Sequence, residues 1–405
     1  MTDDEVWTDG SVISYVGPAA ADMPPFEREI NLQGDVLMPG FKNSHSHTAM
    51  VFARSLADDM PLDKWLTEQI FPKEAKLTDD SVYAFTKVGI MEYLTSGITS
   101  CFDMYSHNDA YVQAVEDAGF RTVICSGLNN FDRDIENIER EYLKFNGKSE
   151  LVSYLLGIHA EYTTCPERIE YAASLAKKYK APCFTHLSET KGEVDACLER
   201  YGMTPPQYLA SKGLFDYGGG GIHCVHMSDE DVQLFLEKKL YAITCPASNL
   251  KLASGIAEVE KLRKAGIIWA IGTDGASSNN ALDMFREMYL VSALQKHLTG
   301  DASACPAEEV LKMACVNGAR AVQLNDCDGI APGKKADLIR IDMTRPNMQP
   351  EHSFIKNIVY SGSKENVRMT MVNGKILYED GEFFIGCDPA EAYAYAQKYA
   401  DSLKG

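Results

Sequence analysis

Histidine is scarce in this 405-residue chain, nine in all, and six of the nine stand at the ends of short apolar runs. His45 and His47 lie in FKNSHSHTAM, His159 in LVSYLLGIH, His186 in APCFTHL, and His223 and His226 in GIHCVH. Asp274 closes a further run, IIWAIGTD. A lone histidine in such a place is more often a packed residue than a ligand, but six scattered at random would rarely coincide this way. In an extended segment H-x-H turns both imidazoles to one side, because strand side chains alternate with period two. Two neutral imidazoles at His45 and His47, a third at His186 and the Asp274 carboxylate form a donor set suited to zinc or a similar divalent cation. Such a set leaves room for water, whose pKa falls toward neutrality beside the cation. Glu189 follows His186 by three residues in HLSET. A carboxyl group there can carry a proton from water to a leaving group.

These residues need elements that bring them to one place. Eight β-rich runs recur, at Asp35–Phe41, Ile98–Asp103, Arg121–Leu128, Leu151–His159, Ala181–Leu187, Gly221–His226, Tyr241–Ser248 and Ile267–Asp274. Segments with helical patterning separate them, such as Asp80–Thr95 and Pro166–Lys178. Strands alternating with helices predict a parallel sheet, and eight such units predict a (β/α)8 barrel. Every strand's C-terminal end then opens on one mouth, where barrel active sites lie. The chain ends do not fit a barrel. Ser11–Gly17, Asp337–Asp342, Ile355–Tyr360, Val367–Val372 and Lys375–Tyr378 read as short strands, with an Asn373-Gly374 turn signal. They predict a small β-sandwich built from residues 1–36 and 337–387, around a barrel at 37–336. A closing helix follows in 388–405, with Asp388 as N-cap and Pro389 at its first position. The long stretch Thr48–Lys76, with Trp65, reads either as a lid over the mouth or as a surface excursion anchored by one tryptophan.

Composition bounds the partners. With 58 acidic and 39 basic residues the formal net charge is −19, while 45 % of residues are apolar. That apolar share supports a packed core. The charge argues against a sequence-blind nucleic-acid binder and leaves small molecules as ligands. No apolar run approaches the roughly 18 residues of a membrane span. The start, Met-Thr-Asp-Asp-Glu, lacks a secretory h-region. The eleven cysteines are scattered without a C-x-x-C pair, which points to a reducing, cytoplasmic setting rather than a disulfide framework.

The segments MPGFKNSHSH, THLSE, GIHCVH, CPASNLKLASGIAEV, GTDGASSNN and ADLIRID together resemble the amidohydrolase superfamily. Within it they resemble the branch that deaminates adenosine-type nucleosides, and the likeness runs over nearly the whole chain. The resemblance implies a distorted (β/α)8 barrel with a β-sandwich made from both chain ends. It implies one divalent metal, Zn2+ or else Fe2+ or Mn2+, held by His45, His47, His186 and Asp274. One metal is favoured over two because strand four offers no lysine to bridge a pair. It further implies that Glu189 is the proton shuttle facing the purine N1, and that His223 and Asp274 orient the attacking oxygen. His159 and Glu74 would contact substrate, Glu74 at the ribose hydroxyls, and Arg133 would meet the 5′ end. His226 reads as a neighbour rather than a ligand, and His107 as a surface residue or a neighbour of the site. Members acting on S-adenosylhomocysteine resemble one another in an arginine after strand three, where this chain has Ser126. That leaves methylthioadenosine, adenosine or 5′-deoxyadenosine at least as well served. The runner-up is another aminated heterocycle, such as guanine, a pterin or a triazine. The resemblance also suggests a homo-oligomer.

Overall fold

The structure, a computed structural model, describes residues 4–20, 25–56, 58–60 and 64–403. Two strands open the chain, β1 (Asp4–Asp9) and β2 (Val12–Pro18), paired as an antiparallel hairpin. β1 was not foreseen, and Met1–Asp3, part of the acidic start, lie outside the described residues. Next come β3 (Val36–Pro39) and β4 (Phe41–Ser46), separated by Gly40 alone. Seven further strands complete the barrel: β5 (Ile98–Met104), β6 (Arg121–Cys125), β7 (Val152–Ala160), β8 (Cys183–Leu187), β9 (Gly219–His223), β10 (Tyr241–Thr244) and β11 (Ile268–Ile271). β4 to β11 lie side by side in sequence order, every pair parallel. Beyond the strand ends, Asp274 N–H donates to His45 O at 3.0 Å and Thr273 N–H to Asn43 Oδ1 at 2.9 Å, drawing the last strand to the first.

The barrel's first strand differs from the expectation. Val36–Pro39 pairs with β12 (Leu338–Ile341) in the terminal sheet, and Phe41–Ser46 is the barrel strand. Polar FKNSHS hides a strand because its inward residues reach the mouth and the floor instead of an apolar centre. His45 is therefore inside a strand and His47 follows it directly.

Phe102, Val123, Cys125, Phe184, Ile222, Ile243 and Ala270 fill the barrel interior. The Asp79–Thr95 helix illustrates the outer layer. Thr78 and Ser81 form a capping box at its start, and Val82, Phe85, Ile90 and Leu94 are buried. The expected strand seven stops at Thr244, because Pro246 starts a helix, Pro246–Lys251.

The terminal sheet runs β15-β14-β13-β12-β3, with β13 (Val367–Val372), β14 (Lys375–Glu379) and β15 (Glu382–Phe383). The β1–β2 hairpin packs on it through Ile13, Leu338, Met369 and Met371. Asn373-Gly374 makes the predicted turn, with φ of 52° and 76°. A Cβ on Gly374 would lie 1.8 Å from Gly10 O, so only glycine fits where the hairpin crosses the turn. The expected strand Ile355–Tyr360 is a helix, Phe354–Tyr360, capped by Ser353. Its apolar residues Ile355, Ile358 and Val359 recur at helical spacing, and the last two are buried. The closing helix spans Pro389–Ser402, with Asp388 accepting from Ala390 and Glu391 N–H at 2.9 and 3.1 Å.

One buried ionic cluster joins the terminal sheet to the barrel floor. Asp337, just before β12, accepts from Arg121 Nε at 2.6 Å and Nη2 at 3.0 Å, and from Asn373 N–H at 2.8 Å. Lys42 Nζ stands 3.7 Å from the same carboxylate and donates to Thr99 Oγ1 at 2.6 Å. All eleven cysteines are free. Among the described residues no helix is long and apolar enough to cross a membrane.

Candidate metal centre and active site

The ends of β4, β8 and β11 bring the predicted ligands together, and the end of β9 sets His223 beside them. Two triads share His45: His45, His47 and Asp274, and His45, His186 and His223, each with its donor atoms within 4.8 Å of one another. His45 Nε2 is 3.2 Å from His186 Nε2 and 3.5 Å from Asp274 Oδ1, and His47 Nε2 is 3.4 Å from Asp274 Oδ1. Donors about 2.1 Å from a tetrahedral ion stand about 3.4 Å apart, so this spacing fits a bound cation.

Outer partners hold the rings of His47, His186 and His223 in one tautomer. His47 Nδ1–H donates to Met104 O at 2.5 Å and His186 Nδ1–H to His159 O at 2.7 Å. His223 Nδ1–H donates to Asn249 Oδ1 at 2.8 Å. Each Nε2 lone pair is thereby left facing inward, the arrangement that metal-ligating histidines use. Among the described residues, buried His45 Nδ1 has no hydrogen-bond partner. Asp274 is oriented by Ser248 Oγ at 2.6 Å and Ser278 Oγ at 2.8 Å, both on Oδ2, and by Gly275 N–H at 2.7 Å on Oδ1. The residues present thus suit a divalent cation of the zinc type.

Burial lowers the imidazole pKa at His45 to about 3 and at His159 to about 4, and takes His186 well below its usual value. These rings are neutral and free to ligate. Burial opposes ionisation of Asp274, but the neighbouring His45 and His47 hold its carboxyl well below the usual range. Glu189 behaves differently. Burial raises its pKa, against the His223 charge, and Ser254 Oγ donates to Oε1 at 3.2 Å. Its Oε2 is 3.7 Å from His223 Nε2. Burial lowers the His223 pKa, yet Glu189 and Asp274 prevail and raise it. Glu193 accepts from Ser188 and Glu189 N–H at 2.9 and 2.8 Å and so fixes the turn that carries Glu189. Ser188, His223, Cys224 and Asp274 all have positive φ, between 49° and 72°. Left-handed backbone at four non-glycine residues is strain concentrated at one mouth.

The other expected residues are placed as follows. His159 shares the mouth, its ring 4.8 Å from that of His186, with Nδ1 2.8 Å from Thr163 Oγ1. Glu74 is half-buried beside Tyr105 and His47, and burial raises its pKa. Phe71, one turn before it, meets Phe131 at 5.3 Å, so the Thr48–Lys76 segment reaches the loop after β6. Ala57 and Pro61–Asp63 of that segment lie outside the described residues. Arg133 is exposed, on the loop after β6. Ser126 Oγ donates to Gly157 O at 2.9 Å and accepts from Gly157 N–H at 2.6 Å, so its hydroxyl is committed to β7. His226 Nε2 binds Ser254 O at 2.8 Å, and His107 pairs with Asp79 at the surface. Ser248, Asn249, Ser254, Ser278 and Glu193 were not singled out from sequence. Four of them sit in CPASNLKLAS and GTDGASSNN, whose polar residues were the available signal.

Residues 36–377 match the amidohydrolase family. The chain is 38 % identical over 405 residues to the 5-methylthioadenosine/S-adenosylhomocysteine deaminase of Pelotomaculum thermopropionicum, covering 98 % of this chain and 93 % of the relative. It is 40 % identical to the protein of that name from Moorella thermoacetica, over 95 % of this chain and 92 % of the relative. A crystal structure of an adenosine deaminase from Xanthomonas campestris with bound zinc superposes with a TM-score of 0.95 at 30 % identity, covering all of this chain and 94 % of that one. With its eight-stranded mouth, its converging imidazoles and this match over most of its length, the chain belongs to the amidohydrolase family of enzymes.

Proposed function

We propose that this enzyme hydrolytically deaminates a 6-aminopurine nucleoside of the methylthioadenosine, adenosine, 5′-deoxyadenosine or S-adenosylhomocysteine type, giving the inosine-type product and ammonia. The observation that carries the reading is Glu189, a buried carboxyl of raised pKa beside His223 at the edge of the ligand cluster. The names of the similar deaminases supply the substrate class. His45, His47, His186 and Asp274 would hold one divalent metal, zinc before Fe2+ or Mn2+. That cation supplies Lewis acidity and makes water a better nucleophile near neutral pH.

The chain's own residues do the rest. Asp274 accepts a proton from the water that attacks C6. Glu189 delivers its proton to the ring N1, then takes the hydroxyl proton of the C6 adduct and passes it to the amine as the C6–N bond breaks, and the proton held by Asp274 restores Glu189 for the next turnover. His223, fixed by Asn249, points Nε2 at the oxygen that becomes the product carbonyl and stabilises the charge that develops there. His159 and Glu74 contact the nucleoside, Glu74 at the ribose hydroxyls. Arg133, on the loop after β6, meets whatever the 5′ substituent presents. Ser126 brings no charge to that end, which serves a neutral 5′ group at least as well as an amino-acid carboxylate. Eleven free cysteines suit a cytoplasmic setting.

The test uses the purified, zinc-loaded enzyme with adenosine, methylthioadenosine, 5′-deoxyadenosine and S-adenosylhomocysteine in turn. Loss of the adenine absorbance with stoichiometric ammonia release is expected for at least one. Turnover of none of the four overturns the nucleoside reading.

A further inference from the structure

Away from the ligand cluster, Glu287 is a buried acid whose two oxygens accept from uncharged donors. It sits in the first turn of the Met284–Thr299 helix and is fully buried. Its two oxygens take different loops. Oε2 accepts from Ala247 N–H at 3.0 Å, on the turn after β10, and Oε1 accepts from Asn279 Nδ2 at 2.8 Å, on the loop after β11. The residues next to these two anchors are Ser248 and Ser278. Their hydroxyls converge on one atom, Asp274 Oδ2, at 2.6 and 2.8 Å. Asn249, one step further, holds His223 through Nδ1. Asn279 Nδ2 also donates to Thr273 O at 2.7 Å, immediately before Asp274. With Oδ2 taken by two serines, Oδ1 is the oxygen left toward the His45 and His47 rings.

We propose that Glu287 is a positioning residue: one carboxyl clamps the β10 and β11 loops together, so that Ser248 and Ser278 set the Asp274 carboxylate and Asn249 sets His223 for the metal and the reacting oxygen. The assignment of Asp274 and His223 rests on the function proposed above. A carboxylate suits the place because both its oxygens accept. A glutamine would satisfy one donor and set its own N–H against the other. Burial raises the Glu287 pKa, while the Ala247 and Asn279 donors work against that shift and favour the ionised carboxylate. Outer partners of metal ligands typically govern affinity or rate by about 10- to 100-fold.

The test compares wild type, Glu287→Gln, Ser248→Ala and the double variant. Zinc affinity is measured by chelator competition, and kcat and KM at saturating zinc. Glu287→Gln is expected to weaken zinc binding by about tenfold and to lower kcat by about 30-fold, with KM changed less than about threefold. The double variant is expected to lose less than the product of the single losses, because both act through Asp274. Zinc affinity unchanged in Glu287→Gln, or losses that multiply, overturns the clamp, whatever happens to the melting temperature. If Glu287→Gln does not fold, Asn279→Ala breaks the other end and is judged by the same outcomes. The zinc-affinity arm needs no substrate, so a wild type inactive on nucleosides would refute the reaction while still deciding the clamp.

Discussion

The barrel carries a buried polar cluster at each end, and the two are built on opposite rules. At the floor, Asp337 accepts from Arg121 and from Asn373 N–H and stands 3.7 Å from Lys42, so its charge is paired within the cluster. At the mouth, the side chains of His45, His47, His186, His223, Asp274 and Glu189 crowd together, with four non-glycine residues at positive φ. The floor spends its charges on holding the terminal sheet to the barrel. The mouth turns imidazole nitrogens and one carboxylate oxygen toward a common point, a donor set for a cation rather than for one another.

The largest effect that distinguishes the ends belongs to Glu189. Glu189→Gln keeps the shape and removes the proposed proton carrier, and general acid–base catalysis is worth about 10²- to 10⁴-fold. A loss of about 10³-fold or more in kcat is expected, with zinc content unchanged and the melting temperature equal or higher, since a carboxyl whose ionisation burial opposes is gone. Retained activity would remove Glu189 from the reaction and, with it, the contrast between the two ends.

At the floor the expected outcome is reversed. Asp337→Ala leaves Lys42 and Arg121 buried without their shared partner, and breaking a buried pair costs about 3–5 kcal/mol. Urea unfolding should show that loss, while kcat per folded, metal-loaded molecule stays close to wild type. A drop in kcat at full folding would show that the floor also tunes the chemistry.

The contrast explains which parts were legible in the sequence. Apolar strands such as those around Phe102, Phe184 and Ile243 announce themselves because burial on both faces demands continuous hydrophobicity. β4 did not, since Lys42 goes to the floor cluster and His45 to the mouth. The strand was therefore read one element early, at Asp35–Phe41. Ile355–Tyr360 failed for the opposite reason: β-branched residues suggested a strand, and only their spacing of three and four marked the helix. At the site, the histidines and acids were legible by chemical type. Ser248, Asn249, Ser254 and Ser278 were not, because a serine acquires a role only through what its hydroxyl meets in space. Glu193 and Glu287 look like ordinary helix-surface acids in sequence, and burial alone distinguishes them.

Acid separates the floor from the rest of the molecule. Burial works to raise the Asp337 pKa, but Arg121 and Lys42 hold it at about 2, against 3.8 in an unfolded chain. A depressed carboxyl contributes stability that is fully present above its unfolded pKa and is lost as pH falls through the folded one. The stability difference between wild type and Asp337→Asn should therefore be constant from pH 7 to 5. It should shrink by roughly 2 kcal/mol between pH 4 and 2. Measuring the difference cancels the titration of the mouth. A gap that begins to close already at pH 6 would mean that histidines, not Asp337, dominate the acid response of that end.

The smallest expected effect tests whether the mouth is tuned by single hydrogen bonds. Ser254 Oγ donates to Glu189 Oε1 at 3.2 Å, which favours the ionised carboxylate, while burial and Asp274 favour the protonated acid and the His223 charge sides with Ser254. In the proposed reaction Glu189 hands a proton to the ring, so activity is expected to fall as pH rises through its pKa. Ser254→Ala withdraws support from the carboxylate, so the descending limb of the kcat profile moves to higher pH. One hydrogen bond is worth about 1 kcal/mol net, which corresponds to a shift of about 0.7 pH unit, with kcat at neutral pH changed less than about fivefold. A limb that stays in place would mean that burial and the charges around it alone hold the Glu189 proton. The mouth would then resemble the floor after all, with its decisive group governed by charges rather than by a hydroxyl partner.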